Sequence, residues 1–262
     1  MRLTRIDRRN ATFQQWQTLL TNRTKRSRAG AFIVQGVRPI SLAVQHDWEI
    51  QSWLAQTGRR SEWAASMMRE RPAQTYELSP DLMAELSEKE DGAELLAVVT
   101  MPPDRLDRIA PHMGGPVLVF DRPSTPGNIG TLIRSIDALG GSGLIITGHA
   151  ADPYDPKAVR ASTGSFFTVP VVRCDATATV LDWARQLDLS VLGTDESGDT
   201  PLPETDLTGR TLIVIGNETR GMARAWHEAC DQVLTIPMVG SASSLNAASA
   251  GTVALYEASR QR

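Results

Sequence analysis

The sequence predicts an α/β protein in two parts, the second the more regular, and three observations carry that prediction. Short apolar runs alternate with amphipathic stretches at helical spacing along nearly the whole chain. From Pro116 onward the apolar runs are Val-, Ile- and Leu-rich without polar alternation, as in strands covered on both faces of a parallel sheet. Between the halves, PPDRLDRIAPHMGG holds prolines and glycines but no sustained apolar run, and reads as a linker. The expected division is therefore residues 1–100, a linker at 101–115, and residues 116–262. A length of 262 residues suits two domains or one large α/β unit.

In the first half, Ala11 to Arg28 reads as one helix, with Phe13, Trp16, Leu19 and Leu20 on one face and arginines opposite. AFIVQG then reads as a strand, VRPISLAVQHDW as a helix, EIQSWLA as a strand and SEWAASMMRERP as a helix. TYELS, PDLMAELSEKE and ELLAVVTM continue the alternation as strand, helix and strand. In the second half PVLVFD is a strand, TPGNIGTLIRSIDALG a turn and helix, and GLIITG a strand. FFTVPVV, ATVLDWARQLD, SVLGTD, TLIVIGNE, MARAWHEAC, VLTIPM and SSLNAASAGTVALYEASR carry the pattern to a final helix.

Composition narrows the function classes. Contents of 41% hydrophobic and 22% charged residues exclude long disorder and fibrous repeats. Cys174 and Cys230 have no His or Cys at metal-ligand spacing, so both are expected reduced, buried and chemically idle. No apolar run approaches the ~20 residues of a membrane span, which predicts a cytoplasmic protein. The formal net charge of -3 conceals an asymmetry. Arg2, Arg5, Arg8, Arg9, Arg23, Lys25, Arg26, Arg28 and Arg38 share their stretch of chain with a single acid, Asp7. That segment reads as a polyanion-binding surface, or more plainly as a solvated helix face.

Three glycine-bearing turns each follow an apolar strand, where open α/β sheets place their ligands. They are DRPSTPGNIGTLIRSIDALG, IVIGNETRGM and IPMVGSASSLNAASAG. Gly127 and Gly130 lack the spacing of a dinucleotide fingerprint, and there is no GK[ST] for a Walker loop. In the first turn Asn128 and Arg134 suit a phosphate-bearing ligand, although a lone helical arginine taken by itself is more often a surface ion pair. In the second, Glu218 can accept hydrogen bonds from a hydroxyl, an amine or backbone amides, or serve as an exposed acid at a helix start. In the third, Ser243, Ser244 and Asn246 precede a small-residue helix that permits close approach of a ligand or of another helix.

Taken together, NxGxxxR, then GNExxG, then IPMxGxxxSLNxxxA resemble the ordered three-motif signature of the SpoU/TrmH RNA 2'-O-ribose methyltransferases of the SPOUT superfamily. KAVRASTGSFFTVPVV is similar to the family's additional RASxGSxF segment. The resemblance spans about residues 116–260. The first half, including NRTKRSRAGAFIVQGVRPI, is similar in layout to the L30e-like RNA-binding domain of many members.

The resemblance implies a C-terminal α/β domain with a parallel sheet and a deep trefoil knot that binds S-adenosylmethionine, a homodimer, and a smaller N-terminal L30e-like domain. It places the cofactor against Gly216, Ile236 and Leu245, with Thr194, Asn217, Met238 and Ala248 as neighbours. It assigns catalysis to Arg134, supported by Asn128, Glu218, Ser244 and Asn246, and requires no metal. RNA contacts are expected from Arg23, Lys25, Arg26, Arg28 and Arg38 of the basic segment and, by the resemblance, from Arg160 and Ser162, although an inter-subunit salt bridge is an alternative for the last two. The implied reaction is methyl transfer to a ribose 2'-oxygen, with rRNA favoured over tRNA and a non-catalytic RNA-binding role as the further alternative. The departures from the family pattern, Pro123–Ser124 and Ala247, are expected to touch no reacting group. A general-base arginine is disfavoured, because neutralising a side chain of ordinary pKa near 12.5 at pH 7 costs roughly 7 kcal/mol. A charged guanidinium that orients the target phosphate and stabilises a developing alkoxide avoids that cost.

Overall fold

The computed structural model describes residues 3–58, 60–87 and 92–262. Arg2 of the basic segment, and Glu88, Lys89 and Glu90 at the end of an expected helix, lie outside the described residues. In chain order the first elements are β1 (Leu3–Ile6), α1 (Ala11–Thr21), α2 (Arg23–Ala29), β2 (Ala31–Gln35), α3 (Val37–Gln45) and β3 (Ile50–Gln56). There follow α4 (Glu62–Glu70), β4 (Gln74–Leu78), α5 (Pro80–Ser87), β5 (Leu95–Thr100), β6 (Val117–Asp121), α6 (Pro126–Leu139) and β7 (Gly143–Thr147). The chain continues through α7 (Pro156–Ala161), β8 (Val171–Arg173), α8 (Thr177–Gln186), β9 (Ser190–Thr194) and β10 (Thr200–Pro201). It ends with β11 (Thr211–Ile215), α9 (Arg224–His227), β12 (Gln232–Thr235) and α10 (Ala247–Arg260).

Two compact units result, Met1–Pro102 with Tyr154–Thr168, and Pro103–Pro153 with Val169–Arg262. A single cut at residues 101–115 therefore misses one feature, since Tyr154–Thr168 belongs with the first unit. The reason is packing. Phe166 and Phe167, expected within a strand, instead form a short 3-10 turn at Ser165–Phe167. Phe32, Trp48, Tyr154, Phe166 and Phe167 make one ring cluster, with Phe32 5.0 Å from Tyr154 and 5.7 Å from Phe166 between centroids. The Trp48 indole N–H donates to the Phe167 carbonyl at 3.0 Å. In this arrangement Phe32, Tyr154, Phe166 and Phe167 are all buried.

The first unit holds a five-stranded mixed sheet in the order β1-β4-β3-β5-β2, with β5 antiparallel to both neighbours. Strand β1 went unread in the sequence; it is a four-residue edge strand, parallel to β4. Phe13, Trp16 and Leu19 of α1 pack on Ile33, Leu54, Leu78 and Leu96. The single helix expected over residues 11–28 is broken at Asn22, which is extended at φ -127. Its backbone N–H ends α1 on the Thr18 carbonyl at 2.8 Å, and its side-chain oxygen caps α2 by accepting from the Lys25 N–H at 3.0 Å. A short amide side chain competes for backbone donors in this way. Asn22→Ala is expected to cost about 1 kcal/mol of stability, read by urea denaturation; an unchanged midpoint would remove the cap from the account.

The second unit is built on a seven-stranded sheet in the order β10-β12-β9-β11-β6-β7-β8, and every pair is parallel. Its strands are covered on both faces, so Val117, Val119, Ile145, Val172, Leu212 and Val214 share one core with Val180, Leu181, Met222 and Trp226. From β6 the chain steps to β7 and β8 on one side, whereas β9, β10 and β12 lie beyond β11 on the other. The carboxyl ends of β6 and β11 therefore flank the point where connections diverge, the preferred ligand site of an open α/β sheet.

Two helices frame that point. Pro126 opens α6, and Gly140, left-handed at φ 71, closes it. Helix α10 packs directly on α6. A Cβ on Gly251 would come within 2.6 Å of Leu132, and the Ser135 and Thr252 hydroxyls meet at 2.7 Å. The helix expected from Ser243 starts at Ala247, because the Asn246 side chain caps it through the Ala248 N–H at 2.9 Å. Ser243, Ser244 and Leu245 are left in a loop. The expected MARAWHEAC helix contracts to Arg224–His227, and the VLTIPM strand stops at Thr235. Among the described residues no helix is long and apolar enough to cross a membrane.

Candidate active site

Three loops at the carboxyl ends of β9, β11 and β12 enclose a cavity of about 670 Å³. Its walls are Thr194, Asp195 and Glu196; Gly216 to Gly221; and Ile236, Pro237, Met238, Ser243, Ser244 and Leu245, with Ala247 and Ala250 from α10. The volume lies in the range of small-molecule and cofactor sites.

The loop after β11 is tightly specified. The Asn217 and Gly221 backbones exchange hydrogen bonds at 3.0 and 3.1 Å. The Asn217 side-chain oxygen accepts from the N–H groups of Thr219 and Arg220, both at 3.0 Å. This fold-back leaves no space at Gly216, where a Cβ would lie 2.5 Å from the Gly221 carbonyl carbon and from the Met222 nitrogen. Gly216 thus brings bare backbone to the cavity wall, the cradle a cofactor held through main-chain groups requires.

Glu218 ties this loop to the turn after β6. Its carboxylate accepts from the Ser124 N–H at 2.9 Å, the Ser124 hydroxyl at 2.8 Å, the Thr125 N–H at 3.3 Å and the Asn128 amide at 2.9 Å. Burial pushes its pKa up, but the bonds from Ser124 and Asn128 outweigh it and hold the carboxyl below its ordinary value. Asn128, oriented by that bond, accepts from the Asn246 amide at 3.3 Å. One polar chain therefore runs Ser124–Glu218–Asn128–Asn246. Ser124 does not stand apart from the site as its departure from the family pattern suggests: it donates twice to Glu218. Ala247 likewise lines the cavity. A short hydroxyl in a turn gives no sequence signal of its partner a long way along the chain.

Arg134 lies two turns along α6 from Asn128, exposed, and makes no hydrogen bond or ion pair among the described residues. The ion-pair reading of this arginine finds no partner there. Asp195 and Glu196, which the sequence did not single out, line the cavity. Burial raises the Asp195 pKa, but bonds from the Ser197 hydroxyl and N–H and the nearby His227 leave it below the ordinary carboxylate value.

Thr194, Gly216, Asn217, Ile236, Met238 and Leu245 all line the cavity, as do Glu218 and Ser244. The Thr194 hydroxyl is engaged, donating to the Val214 carbonyl at 2.9 Å. Ala248 is not at the wall: it is 1% exposed, in the first turn of α10. In the first unit Arg23, Lys25 and Arg28 are exposed on α2, while Arg38 donates to the Thr163 carbonyl at 3.0 Å. Arg26 does not face solvent. It is 2% exposed, donates to the Leu19 and Leu20 carbonyls and pairs with Asp155 at 3.4 Å. Its guanidinium is consumed in closing the end of α1, so it corrects the RNA-contact expectation. Ser162 is corrected on the same ground, being fully buried with its hydroxyl on the Val159 carbonyl at 2.7 Å. Arg160 is exposed.

Cys174 and Cys230 are half-buried, not buried as expected. Burial raises both thiol pKa values, that of Cys230 to about 11, which keeps the thiols protonated at neutral pH. Among the described residues no cluster of three or more His, Cys, Asp or Glu side chains could hold a metal.

Comparison with known proteins agrees with this geometry. Residues 115–256 match the SpoU rRNA Methylase family, and residues 10–97 match the SpoU L30e-like domain. The chain is 52% identical over 265 aligned positions to a 23S rRNA (uridine(2479)-2'-O)-methyltransferase of Streptomyces viridochromogenes, covering 98% of this chain and 92% of that one. It superposes on the crystal structure of the SpoU methyltransferase AviRb from Streptomyces viridochromogenes in complex with AdoMet, with TM-score 0.92 and 53% identity over 97% and 98% of the two chains. An AdoMet-bound rRNA methyltransferase from Sinorhizobium meliloti gives TM-score 0.90 at 26% identity, over 98% of each chain. With its glycine cradle, its Glu218–Asn128 tie and its L30e-like first unit, this chain belongs to the SpoU rRNA methylase family.

Proposed function

We propose that this chain transfers the methyl group of S-adenosylmethionine to a ribose 2'-oxygen of 23S rRNA, as a homodimer in the cytoplasm. The observation that carries the reading is the polar chain Ser124–Glu218–Asn128–Asn246, which ties the first motif to the cavity wall, with the Arg134 guanidinium on the same helix left without a partner among the described residues. S-adenosylmethionine supplies the electrophilic methyl group and leaves as S-adenosylhomocysteine, while the 2'-hydroxyl proton passes to solvent. The chain's own residues do the rest. The backbone around Gly216, with Ile236 and Leu245, holds the donor, and Asn217 fixes the loop that carries it. Glu218 orients Asn128 and is not itself the base, since its carboxylate is saturated with donors. Arg134 binds the target phosphate and stabilises negative charge developing on the 2'-oxygen, and Ser244 and Asn246 border the acceptor.

Arg23, Lys25, Arg28, Arg38 and Arg160 of the first unit supply phosphate contacts, so RNA binding weakens with salt. Exposed Met238, Val239, Val253 and Tyr256 of the second unit support the subunit contact. The trefoil threading of the C-terminal chain is part of the same reading.

The test is transfer of labelled methyl from S-adenosylmethionine into 23S rRNA, 16S rRNA and tRNA offered separately, with 2'-O-methyl mapping and the oligomer mass measured by light scattering. Label confined to 23S rRNA is the expected result. Label in tRNA alone would replace the substrate assignment, and no label in any pool despite donor binding would turn the reading towards a non-catalytic RNA-binding protein.

A further inference from the structure

Asp121 and Arg122 lie at the carboxyl end of β6, outside the groups assigned above, and their contacts converge on the loop that forms the donor wall. The Asp121 side chain is 3% exposed. It accepts from Arg122 Nε at 3.0 Å and Nη2 at 2.9 Å, from the Ala223 N–H at 2.8 Å and from the Thr147 hydroxyl at 3.2 Å. Arg122 spans the loop. Its Nη2 also donates to the Gly221 carbonyl at 3.0 Å, and its own carbonyl accepts from the Asn217 amide at 2.6 Å. Both ends of the Asn217–Gly221 fold-back are therefore held by one residue, and Ala223 beyond it is held by the neighbouring carboxylate.

Holding that position carries backbone strain. Arg122 is left-handed at φ 51, a conformation disfavoured for a side-chain-bearing residue. Gly148 leaves the space that Arg122 fills, since a Cβ there would come within 2.7 Å of Arg122 Cγ. A surface arginine needs neither a buried carboxylate partner nor a strained backbone. Here the buried carboxylate and the left-handed backbone together set the Arg122 guanidinium against the Gly221 carbonyl.

We propose that Arg122, seated on Asp121, is a positioning residue for the methyl donor: it sets the affinity of the chain for S-adenosylmethionine by holding the Asn217–Gly221 fold-back in its binding geometry. It acts through the loop and touches no reacting atom. This rests on the reading of the cavity as the donor site. Loss of the bracket lets the Gly221 end of the loop relax, so donor affinity falls, while Glu218 stays tied to Ser124, Thr125 and Asn128 and the acceptor-side groups on α6 keep their places. The effect is a raised KM for the donor with kcat at saturating donor nearly kept, and a folding defect alone would not produce that split.

The experiment is calorimetric titration of S-adenosylmethionine into wild type, Arg122→Lys, Arg122→Gln and Arg122→Ala, with melting temperatures and donor-dependent kinetics on the same preparations. The expected result is a Kd at least about tenfold weaker in the Gln and Ala variants, about 1.4 kcal/mol, with the KM for the donor raised in step. Arg122→Lys should recover part of the affinity, because an ammonium at the Nη2 position can donate to Asp121 and to the Gly221 carbonyl but cannot replace the Nε bond. Folded variants that bind the donor with wild-type Kd, or that lose kcat with donor KM unchanged, would overturn the proposal. Should Arg122→Ala fail to fold, Arg122→Gln decides by the same criteria. Failure of the wild type to bind the donor would instead sink the reading of the cavity, so the two failures are separable.

Discussion

Arg134→Ala is expected to lower methyl transfer about 10²–10³-fold, the scale seen when one electrostatic stabiliser is removed from a reacting centre, while donor affinity stays near wild type. Arg134 is not among the cavity-lining residues and makes no hydrogen bond or ion pair among the described residues, so its removal leaves the donor wall and the Glu218 network in place. Its site on α6 is secured by Leu132, Ile133 and Ile136, which are fully buried, and stability should change little. Arg134→Lys discriminates further. It keeps the charge and loses the planar fork, so it should recover only a minor part of the rate if the guanidinium grips a phosphate bidentately. The measurement is single-turnover methyl transfer with saturating donor alongside calorimetric donor binding. An Arg134→Ala protein with near wild-type turnover would remove this residue from the mechanism.

Gly216→Val is expected to weaken donor binding ten- to a hundredfold, from the ~1–3 kcal/mol that overpacking costs at a closely packed position. The reason is geometric. Atoms 2.5 Å from the added Cβ belong to the Gly221 and Met222 backbone, and backbone cannot swing aside as a side-chain end can. The loop must move as a whole, and with it the brackets to Arg122 and Glu218. Gly209, where an added Cβ would meet nothing within 4 Å, is the control position. A valine there should leave binding unaltered. Wild-type donor affinity in Gly216→Val would mean that the donor does not lie against this loop.

The position of Glu218 predicts an acid limit to the site's integrity. A carboxyl held below its ordinary pKa contributes stability that is fully present above its unfolded-state value near 4.3 and is lost as pH falls through the lower, folded value. The tie between the first and second motifs is thus intact at neutral pH and dissolves only in acid.

The sequence alone determined the alternation of strands and helices, because apolar period and glycine or proline punctuation are local properties. It also picked out three turns that the structure links through Glu218, Asn128 and Asn246, since a short ordered pattern of Asn, Arg, Glu, Ser and Gly is specific even where each residue alone is ambiguous. Asn128, Glu218 and Asn246, spread over three segments, were legible in that way, and the structure joins them by hydrogen bonds. Other facts depended on which distant residues meet. Asn22 divides a continuous helical pattern because its side chain satisfies a backbone donor, a competition that periodicity does not register. Tyr154–Thr168 leaves the unit that its neighbours in sequence build, because its aromatic rings find Phe32 and Trp48. Arg26 and Ser162 carry polar groups that suit RNA, yet folding uses them internally, since a buried donor left without an acceptor costs more than a surface contact returns. Ser124, Asp121 and Arg122 acquire a role only through partners on the loop after β11, a strand neighbouring β6 in the sheet but far from it in the chain. Local composition sets which elements form; long-range packing and hydrogen bonding decide which polar groups remain available for chemistry.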